Sequence, residues 1–254
     1  MGLRKLLKRY LYRRKFSISD SKNSINNIKN QNIIITGANS GIGLALTKKL
    51  IELNNVVIAT FNKTNDNLLK LKSDNLKIYQ CDQSQLDNID KLTDCVKNIP
   101  INIIINNAGV WGGENQNFNK INYENFLKAS NINAISILKL SELVLKHSTS
   151  RTLKSILNIS SLYSSTEQNI SGRDYVYKGT KSMMNSFSKN LSIDLNRDYG
   201  VSVFSICPGS VKTKLNPGGI LEPKIAALNI INILQDANKL NGKFIDLNKN
   251  ELSW

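Results

Sequence analysis

Tyr177 and Lys181 stand four residues apart in a stretch of helix length, which places them one turn apart on the same face. A free phenol ionises near ~10, poorly matched to proton transfer at neutral pH. A neighbouring ammonium favours the phenolate, so Lys181 is expected to lower the Tyr177 pKa. The pair reads as an acid–base device. Ser161, at the end of an apolar run, offers a hydroxyl that can hold a substrate oxygen and stabilise charge developing on it. A second constellation is Thr36-Gly37-Ala38-Asn39-Ser40-Gly41-Ile42-Gly43, which follows an apolar run and opens a helix-length segment. Glycines there permit a tight turn and let backbone amides approach a pyrophosphate at a helix N-terminus.

The elements that must position these groups alternate regularly. Asn32–Thr36, Val56–Thr60, Leu76–Cys81, Ile101–Ile105, Ser155–Ser160, Val201–Cys207 and Gly242–Ile245 read as strands. They are β-branched and apolar on both faces, as strands covered by helices on two sides must be. Ile42–Leu53, Asn65–Lys72, Leu86–Lys97, Tyr123–Lys146, Tyr177–Arg197 and Glu222–Gln235 are long enough for helices. Right-handed βαβ units follow, and with them an α/β Rossmann-type doubly wound parallel sheet of about seven strands. Such a sheet binds ligands beyond the carboxyl ends of its strands.

The glycine spacing resembles the cofactor fingerprint of the short-chain dehydrogenase/reductase family, and the rest of that pattern occurs in order over residues 32–254. Asn106-Asn107-Ala108-Gly109 follows the fourth strand, Asn133 lies in the long helix, Ser161 ends the fifth strand, Tyr177 and Lys181 form YxxxK, and Pro208-Gly209 precedes Thr213. The resemblance implies an oxidoreductase that moves a hydride between a nicotinamide and a carbonyl or alcohol. Tyr177 would be its acid/base, Ser161 would orient the substrate oxygen, and Asn133 would hold a relay water. Ser161 is preferred to Ser160 as the second of its pair, and Asn133 to Asn131 on the register of Asn133-Ala134-Ile135-Ser136. The cofactor would lie against Gly37, Asn39, Ser40, Gly41, Ile42, Gly43, Asn107, Ala108, Gly109, Pro208, Gly209, Val211 and Thr213, with Asp82 at the adenine and Tyr177 and Lys181 at the ribose.

NAD(H) enzymes place an acid at the end of the second strand. Here Thr60-Phe61-Asn62-Lys63 carries none, and Lys63 offers a positive charge, so NADP(H) is favoured over NAD(H). Ser40 argues the other way, because many NADP-dependent members carry a basic residue there. Around Tyr175–Asn185, and again from Gly242 to Trp254, the chain resembles the C-factor-like carbonyl reductases. Val110, Trp111, Tyr163 and Leu215 are expected to line an apolar substrate pocket. The family resemblance further implies a homodimer built on Tyr123–Lys146 and Tyr177–Arg197. The competing class is a nucleotide-binding signalling or scaffold protein with little turnover.

The chain has 254 residues and a formal charge of +15. Residues 1–16 hold Arg4, Lys5, Lys8, Arg9, Arg13, Arg14 and Lys15 and no acid; without those seven the charge drops from +15 to +8. The remaining excess is spread out with no basic-aromatic motif, which argues against a nucleic-acid partner. Leu3, Leu6, Leu7, Tyr10 and Leu11 fall at helical spacing, so the segment reads as a basic amphipathic targeting helix. It resembles a mitochondrial matrix presequence with cleavage after Phe16. The alternative is a retained basic tail on a cytoplasmic protein, resting on anionic lipid. Residues 17–31 read as a polar linker before a single domain over 32–254. No stretch approaches the ~20 apolar residues of a membrane span. Three scattered cysteines and one histidine leave no material for a disulfide framework or a zinc site.

Overall fold

Seven parallel strands form one sheet in the order β3-β2-β1-β4-β5-β6-β7. In the computed structural model they span β1 Asn32–Ile35, β2 Val56–Phe61, β3 Leu76–Gln80, β4 Ile103–Asn106, β5 Ser155–Ile159, β6 Ser202–Cys207 and β7 Phe244–Asp246. The structure describes residues 28–254 apart from 64–65, 98 and 149–151. The basic segment 1–16 and most of the linker lie outside the described residues. Ile28 is buried in the core, its carbonyl accepting from Asn55 Nδ2 at 2.9 Å.

The strands are apolar on both faces because each face is covered. Ile33 and Ile35 point to the side packed by α1 (Gly41–Glu52, through Leu46 and Leu50) and α8 (Pro223–Leu234, through Ala227, Ile230 and Ile231). Ile34, Ile104 and Ile156 point the other way, toward Leu140 and Val144 of α6 (Ser136–His147) and Leu195 of α7 (Tyr175–Tyr199). The two-residue period of a strand sorts consecutive isoleucines into these two cores. Strand order reverses between β1 and β4, so a crevice opens at their carboxyl ends.

Three expected helices differ. Asn65–Lys72 shrinks to one turn, α2 (Asp66–Leu69), where Leu68 is buried but Leu69 is half exposed; one anchored side chain does not hold a longer helix. Leu86–Lys97 splits into α3 (Asp87–Asp90) and α4 (Thr93–Val96). Buried Ile89, Leu92 and Cys95 recur every third position and the backbone bonds Ile89→Leu86, Leu92→Ile89 and Cys95→Leu92 follow that tighter repeat, while buried Val96 bonds back four residues to Leu92. Tyr123–Lys146 runs as α5 (Tyr123–Ser130) and α6 joined by a π-helical turn, Asn131–Ile135. A short 3₁₀ turn at Ala237–Leu240 was not expected.

Candidate active site

The glycine turn crosses from β1 into α1. Gly37 and Gly41 have φ of +64° and +54°, which favours glycine. At Gly43 the reason is space: a Cβ would lie 2.4 Å from the Gly37 carbonyl oxygen and 2.5 Å from Asn107 Nδ2. Ser40 is the N-cap of α1 but makes no side-chain capping bond, so it leaves first-turn amides of α1 uncapped by a side chain. Asn39 Nδ2 donates to the Lys63 carbonyl at 2.8 Å, tying the turn to the segment after β2. Asn62 and Lys63 are exposed. Ile42 is buried in the core, so only its backbone faces the turn.

Residues 106–109 are clamped to that turn. Thr36 Oγ1 accepts from the Asn107 and Ala108 amides, both at 3.0 Å, and Asn107 Nδ2 donates to the carbonyls of Thr36 (2.9 Å) and Gly37 (3.1 Å). Thr213 closes the turn from the other side, its Cγ2 only 3.0 Å from where a Gly41 Cβ would sit. Val211 is buried and pairs with Leu221, while Gly209 after Pro208 is left-handed at φ +73°. Leu215 is exposed in the Thr213–Asn216 turn. Asp82 Oδ1 accepts from the Ser84 amide at 3.0 Å.

The π-helical turn carries both asparagines to partners. Asn131 donates to the Ser84 carbonyl at 2.9 Å and so braces the loop after β3. Asn133 is fully buried; it accepts from the Val110 amide (2.8 Å) and donates to the Val110 carbonyl and Thr180 Oγ1 (both 2.9 Å). A Cβ on Gly109 would meet Asn133 Oδ1 at 3.4 Å and Lys181 Nζ at 3.5 Å, so these two groups converge on that glycine.

Tyr177 and Lys181 occupy the first turns of α7 as expected, both buried. Ser161 Oγ accepts from the Tyr163 amide at 3.2 Å and lies near enough to the Tyr177 phenol to pull its pKa down. Trp111 stacks on the Tyr177 ring at 4.4 Å and 22°, and Tyr163 meets it edge-on at 6.1 Å. One expectation is corrected. Burial pushes the Tyr177 phenol up to about 12, outweighing Ser161, which pulls it down. Burial takes Lys181 itself down to about 8, and its ammonium donates to the Ile159 carbonyl at 2.7 Å.

Several residues that hold the site carried no motif. Lys178 is buried and donates to Asn169 Oδ1 (2.8 Å), Ser171 Oγ (2.9 Å) and the Gly172 carbonyl, with its Nζ 5.4 Å from the centre of the Tyr163 ring. It knots the loop between Ser161 and Tyr177. Gln116 is buried between the loop after β4 and the start of α7. Thr36, next to the glycines, was the one such residue with a local signal. Cys207 is buried, and burial raises its thiol pKa. Among the described residues no cluster of His, Cys, Asp or Glu could hold a metal, and no helix is long and apolar enough to cross a membrane.

A protein-family model described as short chain dehydrogenase matches residues 31–219. The chain belongs to the short-chain dehydrogenase family. Mouse (Mus musculus) 17-beta-hydroxysteroid dehydrogenase type 3 is 30% identical over 207 residues, which is 72% of this chain but only 60% of that enzyme. Oxidoreductase DltE of Bacillus subtilis is 31% identical over 193 residues, 74% of each protein. The C-signal protein of Myxococcus xanthus is 26% identical over 162 residues, 61% of this chain and 93% of its own. The carbonyl reductase Sniffer of D. melanogaster superposes with a TM-score of 0.78 at 25% identity, covering 89% of this chain and 100% of that one. The seven-stranded parallel sheet described above is that of this family's fold.

Proposed function

We propose that the protein is an NADP(H)-dependent carbonyl reductase acting on an apolar carbonyl compound. The observation that carries this reading is the buried Tyr177 phenol stacked under Trp111, with Ser161 acting on its pKa and Lys181 and Asn133 converging on Gly109. A phenol held at about 12 stays protonated at neutral pH and is available as a donor. Ser161 holds the substrate oxygen, and Tyr177 gives that oxygen its proton: the phenolic O–H breaks as the alcohol O–H forms. Lys181 and Asn133, which converge at Gly109, would return a proton to the phenol through water. Val110, Trp111, Tyr163 and Leu215 would give the substrate its apolar wall.

The residues fit a dinucleotide. The amides opening α1 have no side-chain cap, and Gly43 leaves no room for a side chain under the turn. Gly37–Gly43, Asn107–Gly109, Pro208–Thr213 and Lys181 would hold it, with Asp82 near the adenine. NADPH, when bound, supplies the hydride for the carbonyl carbon. The acid-free segment Thr60–Lys63, with exposed Lys63 tied to Asn39, supports NADP(H) over NAD(H). A solved carbonyl reductase from chicken fatty liver, with the same fold at 24% identity and a TM-score of 0.78, is described as NADPH-bound.

Oxidation of NADPH across a panel of carbonyl compounds tests the reading, with Tyr177→Phe as the control. Loss of at least ~100-fold is expected in that variant. Tight NADPH binding with no turnover on any carbonyl would instead support a signalling or scaffold role. A homodimer is proposed on α5, α6 and α7, where Tyr123, Leu127 and Ile193 are more than half exposed and Leu138, Met183 and Phe187 are only partly buried; light scattering decides it. A matrix-targeting role is proposed for residues 1–16, which N-terminal sequencing of the native protein tests through a terminus at Ser17.

A further inference from the structure

The first turn of α7, which carries Tyr177, does not cap itself. Asp174, before it, is left-handed at φ +53° and makes no side-chain capping bond; Arg173 and Gly172 are left-handed as well, at +54° and +57°. The opening amides of a helix need acceptors from elsewhere. Gln116 supplies two of them from 61 residues upstream. Its Oε1 accepts from the Tyr177 amide at 2.9 Å, and its backbone carbonyl accepts from the Tyr175 amide at 3.2 Å.

The same side chain faces the other way with its two donors. Gln116 Nε2 donates to the carbonyls of Trp111 (2.7 Å) and Gly113 (3.0 Å). An amide nitrogen has two protons, so this one is fully used, in a residue only 3% exposed. Between those carbonyls lie Gly112 and Gly113, at φ +91° and +112°. Such a pair has wide backbone freedom unless something fixes it. The loop is also pressed on α7: a Cβ on Gly112 would lie 2.4 Å from Val176 Cγ1. Gln116 therefore joins the backbone of the tyrosine to the backbone of the tryptophan stacked on its ring.

We propose that Gln116 is a positioning residue for the reaction, holding Trp111 and Tyr177 in register so that the proton donor and its apolar cover form one unit. The proposal rests on the reading of Tyr177 as the proton donor. It differs from a plain helix cap in what Gln116→Glu does. That variant keeps an acceptor for the Tyr177 amide but turns an oxygen toward the Trp111 and Gly113 carbonyls, so the cap survives and the loop is released. Gln116→Met, of similar size, loses both connections.

The test uses the full chain in a Trp254→Phe background, where Trp111 is the one tryptophan left. Its emission and acrylamide quenching are read with and without NADPH, alongside kcat, KM and NADPH affinity. In Gln116→Glu the Trp111 emission is expected to shift red and quenching to rise. Carbonyl-reduction kcat should fall at least ~10-fold, within the range that small misplacements cost, while NADPH affinity stays within about twofold. A folded Gln116→Glu protein with unmoved Trp111 emission, or with kcat unchanged, overturns the proposal. Absence of reductase activity in the parent protein would defeat the functional reading instead, and the Trp111 signal would still decide the coupling.

Discussion

Gly43→Ala separates two reasons for a glycine. Gly43 is helical, so alanine meets no backbone penalty; the obstacle is the Gly37 carbonyl oxygen 2.4 Å from the new Cβ. Ordinary contact is ~3.5 Å, so α1 must retreat from the turn by about 1 Å. Overpacking of that kind costs about 1–3 kcal/mol, and alanine's better helix propensity offsets about 1 kcal/mol of it. The net cost, about 0–2 kcal/mol, lowers the melting temperature by no more than about 8 °C for a domain of this size. Affinity is the sharper readout. The displaced contact is also the one Asn107 makes with Gly37, so the amide cradle opens, and NADPH binding measured by fluorescence titration should weaken at least ~10-fold. Gly200→Ala is the control: at φ +69° with nothing within 4 Å of its Cβ, it carries backbone strain alone, about 1–2 kcal/mol, and no loss of NADPH affinity. A Gly43→Ala protein that binds NADPH as tightly as the parent would refute the reasoning.

Because Tyr177 is held at about 12, the phenolate needed for alcohol oxidation gains tenfold per pH unit below that value. Oxidation kcat/KM should therefore climb through pH 7–9 with no plateau attributable to the phenol, and reduction should show no descending limb from it there; initial rates in both directions check this. Lys178→Met removes three bonds from the loop at Asn169–Gly172, so tryptic cleavage after exposed Arg173 should accelerate and the KM for the carbonyl rise several-fold with NADPH affinity unchanged. Equal cleavage rates would discount the knot. Lys63→Glu should reverse the cofactor preference toward NADH, read as the ratio of kcat/KM values for the two.

What the chain disclosed before its structure was local. Strands with isoleucine on both faces announce a covered sheet, and Tyr177 with Lys181 needs only helical spacing to be seen. Gln116 and Lys178 escaped because each acts through loops, Gln116 on a helix 61 residues away, and no periodicity marks a side chain that bonds backbone. The Tyr177 pKa was misjudged for a related reason: sequence spacing shows that a cation is near but not how far water is excluded, and here burial decides the sign. Leu86–Lys97 did hold its own correction in the three-residue recurrence of Ile89, Leu92 and Cys95.

The π-helical turn at Asn131–Ile135 has a consequence for how the chain can change. A π turn takes in one more residue than an α turn, so α6 leaves it about 100° out of phase with where a straight continuation of α5 would have put it. Deleting any one residue between Ser130 and Ser136 would let the helix close into regular α form and would be no local loss. It would rotate Asn133 away from Val110 and Thr180, or swing Leu140 and Val144 off the sheet and Ile137 off Met184, since no single rotation satisfies both. The chain's length at this point is therefore as constrained as its chemistry: substitutions can be absorbed around the turn, whereas a one-residue indel there separates the site from the fold that carries it.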